Sequence, residues 1–238
     1  MMKPKILLED NSLLVIAKPA GWIVNNAQTT KGKDTVQDWV GDNFNFPTAK
    51  SREFRGGIVH RLDKETSGVL VLAKTESAFV ELQRQFKERK IKKTYLALVH
   101  GAVKSKEGEI VAPVGRLPWR RDRFGVLPGG RDAKTSYIVQ DYFEMEGEKF
   151  SLVELYPETG RTHQIRIHLK HVGHPIVADD FYAGRKTARK DRKWCPRLFL
   201  HATATSFNHP VENKKIEFRS EIPNDLQSTL GKLVKTEN

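Results

Sequence analysis

A single cysteine, Cys195, in 238 residues excludes an internal disulfide and any thiolate metal cage. No apolar run approaches the ~18 residues that a membrane-spanning helix needs. The start, Met1-Met2-Lys3-Pro4-Lys5, leads into a short run broken at Glu9-Asp10. It has no apolar h-region and no small-residue cleavage site, so a cytoplasmic rather than a secreted destination is expected. No internal repeat, low-complexity tract or linker-like stretch is visible, which favours one domain over residues 1–238 with a frayed tail at 235–238. Acid is also scarce, with 29 Asp and Glu against 41 Lys and Arg, a net charge of +12. That balance favours a polyanion, nucleic acid first, as partner. Hydrophobic residues make up 38%, with 12 Phe and 4 Trp, enough for a packed interior and against global disorder.

The basic excess is concentrated in three windows. Residues 74–93 hold seven basic and three acidic residues, 116–134 six and two, and 185–197 seven and one. The second window mixes Arg116, Arg120, Arg121, Arg123 and Lys134 with Trp119, Phe124, Pro118, Pro128 and three glycines. The third mixes Arg185, Lys186 and others with Trp194 and Pro196. Both read as loops in which arginine and interleaved aromatics suit phosphate contact and base stacking.

Leu13–Lys18 is a short apolar run stopped by Pro19-Ala20-Gly21, a strand and turn. Thr35–Phe44 carries helical spacing, and 68–74 reads as a buried strand. Thr75 offers an N-cap to a helix reaching about Arg89. Further strands are expected over 93–101, 135–143, 150–156, 198–207 and 215–220. Helices are expected over Thr162–Val172 and Pro223–Val234. Strands in runs with helices inserted between them indicate an α+β fold with a mixed, mostly antiparallel sheet.

Residues 56–75 read GGIVHRLDKETSGVLVLAKT. A short strand, Ile58-Val59, would end in His60-Arg61-Leu62-Asp63, ahead of a polar turn and a buried strand. Asp63 stands between Arg61 and Lys64, which favour an ionised carboxylate, a nucleophile or base rather than an acid. Residues 157–172, PETGRTHQIRIHLKHV, place a Gly turn before a helix with Thr162, His163 and Gln164 in its first turn. His163, Arg166 and Lys170 share one side of it, and its N-terminus could receive a phosphate. His163, His168, His171 and His174 lack a carboxylate pair or a second Cys, so no metal site is assigned.

The 56–75 segment resembles the signature of the RluA-type RNA pseudouridine synthases. VIAKPAGWIV (15–24), KKTYLALVHG (92–101), LYPETGRTHQIRIHLKHVGHPIVADDFYAG (155–184) and RLFLHATATSFNHP (197–210) match further motifs in order, so the resemblance covers nearly the whole chain. It implies a single pseudouridine-synthase-like α+β domain with flanking helices and a central cleft, needing no cofactor or metal. The implied activity is that of an isomerase converting uridine to pseudouridine in structured ribosomal or transfer RNA after base flipping. Asp63 would be the catalytic aspartate, either attacking the anomeric carbon or removing the proton of the neighbouring sugar carbon to give a glycal. Arg61 would fill the gap left by the base. Tyr95 would pack on the uracil, and Arg166 would pair with the aspartate. His60, Leu62, Thr162, His163, Gln164 and Leu200 would complete the substrate pocket, with the two basic loops contacting RNA. A monomer without a required protein partner is the default expectation, and the small RNA-binding domain that many members carry is not expected, since the first matching strand begins within about a dozen residues. Asn25-Asn26 stand where members often carry His-Pro. The competing readings are a catalytically silent RNA-binding or ribosome-assembly protein on the same fold, and a base-removing glycosylase.

Overall fold

Apolar patterning and turn chemistry set the first strands, and the rest of the chain builds on them. The computed structural model describes residues 2–27, 30, 32, 34–118 and 120–237, without the side chains of residues 121 and 122. Trp119 and the Arg121 side chain, both assigned above to RNA contact, thus lie outside the described residues.

In chain order the elements are β1 (Lys5–Glu9), β2 (Leu13–Lys18), α1 (Val36–Asn43), β3 (Ser67–Ala73), α2 (Glu76–Lys87), β4 (Lys92–His100), β5 (Glu107–Val111) and β6 (Val114–Leu117). There follow β7 (Arg120–Val126), β8 (Lys134–Met145), β9 (Glu148–Pro157), α3 (Gln164–His171), α4 (Arg185–Asp191), β10 (Leu200–Asn208), β11 (Lys215–Arg219), α5 (Asn224–Leu230) and β12 (Val234–Thr236). They pack into two compact units, 1–92 with 202–221, and 93–201 with 222–238. Each unit joins two stretches of chain that are distant in sequence, so no linker marks the division.

In the first unit, β2 pairs antiparallel with β1 and with β3, in register from Leu13↔Ala73 to Lys18↔Gly68. β3 is buried along its whole length. Leu13, Val15, Val69 and Val71 pack with Phe79 and Leu82 of α2 and with Phe207 of β10. Thr75 caps α2 as its composition predicts, its hydroxyl accepting from the Ala78 amide. Gln85, 1% exposed, ties α2 to β10 by exchanging two hydrogen bonds with the Asn208 backbone. The next strand, β11, pairs antiparallel with β10.

In the second unit, β4, β9 and β8 form an antiparallel sheet, with Tyr95 opposite Leu155. β5 and β12 both pair with β8. Gln164 and His168, on the buried side of α3, anchor that helix. The Gln164 carboxamide donates to the Lys134 carbonyl and the Thr135 hydroxyl, and accepts from the Arg161 amide and the Thr159 hydroxyl. His168 lies 2.9 Å from the same Thr135 hydroxyl and 3.0 Å from the Ala112 carbonyl oxygen. Burial holds its pKa below the ordinary histidine value.

Several expectations are corrected. Ile58-Val59 is no strand; Ile58 makes a single bridge to Leu72. The basic window at 116–134 is largely a hairpin of β6 and β7, and α4 occupies the start of the 185–197 window. The helix expected from Thr162 begins at Gln164, because His163 adopts a left-handed conformation at φ 56°. The last helix ends at Leu230, and the tail expected to fray supplies β12, with Lys235 opposite Phe143.

Gly68, at the start of β3, has φ +123°. A Cβ there would lie 2.1 Å from the Ala202 carbonyl oxygen of β10. Gly68→Ala therefore strains the backbone and forces the two strands apart, and should cost at least about 2 kcal/mol in a denaturant titration. Wild-type stability in that variant would show that the approach is not required.

Candidate active site

Asp63 belongs to the first unit, partly exposed, on the turn that precedes β3. The turn closes on itself through the Thr66 amide, which donates to the Asp63 carbonyl at 3.1 Å. Its next carbonyl, that of Lys64, accepts from the Gly21 amide at 2.8 Å and from the Lys18 ammonium at 3.2 Å. Lys18 has 0% exposure and also donates to the carbonyls of Pro19 and Trp22, each at 2.9 Å. The KPAG segment and the Asp63 turn are thus one clamped assembly. Leu62, 4% exposed, anchors the turn in the apolar interior, while Arg61 is exposed. His60, expected as a substrate contact, accepts at Nε2 from the Val71 amide of β3 at 3.0 Å. Its ring packs 5.1 Å from Phe86, so it braces the turn on its own unit.

Tyr95, Arg166 and Leu200 belong to the second unit, as do Thr162, His163 and Gln164. Tyr95 is 9% exposed on β4 and Leu200 3% exposed at the start of β10. Arg166 is buried on α3 and bidentate to Asp179, with Nε and Nη2 each donating at 2.8 Å. Asp179 is fully buried and also accepts from the backbone amides of Phe181 and Tyr182. Two parallel charge-assisted hydrogen bonds fix the rotamer of the guanidinium. Its carbon lies 5.1 Å from the Tyr182 ring centroid and 5.4 Å from that of Phe181. His163 joins this group, with Nδ1 2.9 Å from the Tyr182 hydroxyl. Thr162 is partly exposed beside it. Gln164, expected to bind substrate, spends all four hydrogen-bonding positions of its amide on Lys134, Thr135, Thr159 and Arg161.

Asp179 and Phe181 were missed by sequence reasoning, although both lie inside the second long signature. The available signal was a need: a buried arginine on a helix without acidic residues requires a carboxylate from elsewhere, and Asp179-Asp180 is the nearest acidic pair downstream.

The basic faces divide into engaged and presented charges. Arg123 donates to the Phe181 carbonyl at 2.7 Å and stacks 5.3 Å from its ring. Arg116 lies 5.0 Å from the Phe124 ring. Arg116 and Arg120 are exposed. Lys134 bridges Glu109 and Glu158 at 2.8 and 3.1 Å, so its charge is met within the protein. On α4, Lys190 pairs with Glu148, whereas Arg185 and Lys186 are exposed and make no ion pair among the described residues. Among those residues no group of three or more His, Cys, Asp or Glu is placed to hold a metal ion. No helix there is long and apolar enough to cross a membrane.

The α+β fold with its mixed, mostly antiparallel sheet is that of the pseudouridylate synthase class. A model of that family, described as RNA pseudouridylate synthase, matches residues 12–171. The chain is 38% identical over 234 residues to ribosomal large subunit pseudouridine synthase D of Nitrosomonas europaea, covering 95% of this chain and 64% of that protein. It is 42% identical over 217 residues to an uncharacterized RNA pseudouridine synthase of Chloroflexus aurantiacus, covering 91% and 65%. The solved structure of human RNA pseudouridylate synthase domain containing 1 matches with a TM-score of 0.76 at 26% identity, over 98% of this chain and 89% of that one. The chain belongs to the RNA pseudouridylate synthase family, on its RluA-type branch. It spans just under two thirds of the length of those two bacterial relatives.

Asp179→Asn removes the charge of the carboxylate that binds the buried Arg166 guanidinium through two hydrogen bonds. Loss of one partner of such a pair should destabilise the protein by about 3 kcal/mol. A denaturant titration checks this, and a variant as stable as the wild type would remove the pair from the account.

Proposed function

We propose that the protein is an RNA pseudouridine synthase that isomerises specific uridines in ribosomal RNA, transfer RNA or both. One observation carries the reading: Asp63 stands in the full family signature, on a turn held by the buried Lys18 ammonium. A carboxylate so fixed suits chemistry at an anomeric centre, where misplacement is costly. Two routes fit. Asp63 attacks the anomeric carbon and the uracil leaves, turns and rejoins through carbon 5, or Asp63 removes a sugar proton and a glycal is the intermediate.

A stacked uracil is out of reach of any of these groups, so the target nucleotide is flipped, with Arg61 occupying the space it leaves. Tyr95 packs on the extruded uracil, and Arg166 serves as the cation that keeps the catalytic carboxylate ionised. Leu200, Thr162 and His163 shape the pocket. Arg116, Arg120, Arg123, Arg185 and Lys186 contact phosphates on either side of the target. The reaction needs no cofactor. The protein acts in the cytoplasm as a monomer, without a required protein partner. The name of the Nitrosomonas relative makes large-subunit ribosomal RNA the first substrate to try.

The silent RNA-binding alternative uses the basic faces but gives Asp63, Tyr95 and Arg166 no common task. Tritium release from RNA labelled at carbon 5 of uridine separates the two. Release is expected from unmodified ribosomal or transfer RNA. Asp63→Asn should reduce it by more than about a thousandfold while RNA affinity is kept. Asp63→Asn turnover at about a tenth of wild type or above would contradict the assignment.

A further inference from the structure

Lys93 is a lysine for which the reading above has no use. It sits on β4 two residues before Tyr95, and alternation along a strand puts residues 93, 95 and 97 on one face. Tyr95 and Ala97 on that face are 9% and 0% exposed. Lysines normally lay their aliphatic stems on the protein and keep the amine in water. Lys93 departs from this: the residue is partly buried, and burial brings its pKa down to about 8.

The amine has little to meet there. Its single hydrogen-bond acceptor among the described residues is the Thr159 carbonyl oxygen, at the long distance of 3.4 Å, and it has no ion pair. The other enclosed or bridging lysines are well supplied. Lys18 has three carbonyls, and Lys134 two carboxylates. A Cβ at Gly160 would lie 3.9 Å from the Lys93 amine, so the amine sits against the turn at 159–161 that leads to Thr162, His163 and Arg166. An enclosed cation without an anion lowers stability, and such groups concentrate where a ligand supplies what is missing.

We propose that Lys93 is a substrate-contacting residue whose ammonium is held for an anionic oxygen of the bound RNA. This rests on the synthase reading. Two oxygens carry the required charge. One belongs to a phosphate flanking the target uridine. The other develops on the uracil: when the C1′–N1 bond breaks, its electron pair stays on N1 and spreads to the carbonyl oxygens O2 and O4, and the ammonium donates a hydrogen bond without transferring its proton.

The test compares Lys93→Met and Lys93→Arg with the wild type by three measurements on one unmodified RNA: tritium-release kinetics, RNA binding against salt, and denaturant unfolding. Lys93→Met should unfold at no lower denaturant concentration than the wild type, since it removes an unpaired buried charge, yet lose about tenfold or more in kcat/KM. If the phosphate is the ligand, the loss falls in KM and Kd, the salt dependence shallows by about one counterion, and Lys93→Arg recovers function. If the uracil is the ligand, the loss falls in kcat with Kd unchanged. Unaltered kcat, KM and salt dependence in Lys93→Met would overturn the proposal. So would a loss of activity matched by a loss of stability that Lys93→Arg does not restore. Absence of tritium release by the wild-type protein would count against the synthase reading, and the binding comparison would then decide whether Lys93 meets RNA phosphate.

Discussion

A lysine ammonium with no access to water holds the Asp63 turn in place. Lys18 is fully buried, and a cation there is tolerable only if oxygen atoms replace its hydration. Three backbone carbonyls do so, and one of them, that of Lys64, lies next to Asp63 in the chain. The native form of the turn supplies one of these acceptors, which couples the stability of the first unit to the geometry of its proposed catalytic carboxylate. Gly21 and Thr66 close the remaining backbone bonds of the turn. Gly68 then lets β3 run against β10 immediately after it.

The second unit solves a related problem with a charge pair. Arg166 is enclosed on α3, and the fully buried Asp179 holds it through two parallel hydrogen bonds. The backbone amides of Phe181 and Tyr182 orient that carboxylate in turn. Each unit thus carries an ionic group whose rotamer is set by the protein's own interior. Reaction geometry held by packed elements in this way is more exact than geometry left to surface loops. Lys93 is the exception: it is partly buried and has one long hydrogen bond, to the Thr159 carbonyl.

Local chemistry was the part of this protein most legible in its sequence. β2, β3 and α2 follow from a short apolar run, a Pro-Ala-Gly stop and a Thr cap. Asp63, Tyr95 and Arg166 stand in long motifs. What escaped was masked by composition or depends on contacts between distant residues. The β6–β7 hairpin was hidden because its Gly, Pro and Arg content reads as loop. α4 was hidden because it has no apolar stripe; it is held by Ala188 and by Asp191, which accepts from the Ala178 amide and lies 2.9 Å from His100. The tail forms β12 only because the edge of β8 is available to pair with it. Gln164 and His60 occupy motif positions that invite a substrate role, and only the structure shows their ring or amide atoms bonded to neighbouring backbone.

The central claim is that this chain rearranges uridine in RNA by means of Asp63, and the nucleosides themselves test it most directly. Unmodified large-subunit ribosomal RNA would be incubated with the protein, digested to nucleosides and separated by liquid chromatography with mass detection. The account predicts a new nucleoside with the mass of uridine and the retention of pseudouridine, formed by the wild type and absent with Asp63→Asn. Free uracil in its place, or pseudouridine formed equally by both proteins, would contradict it.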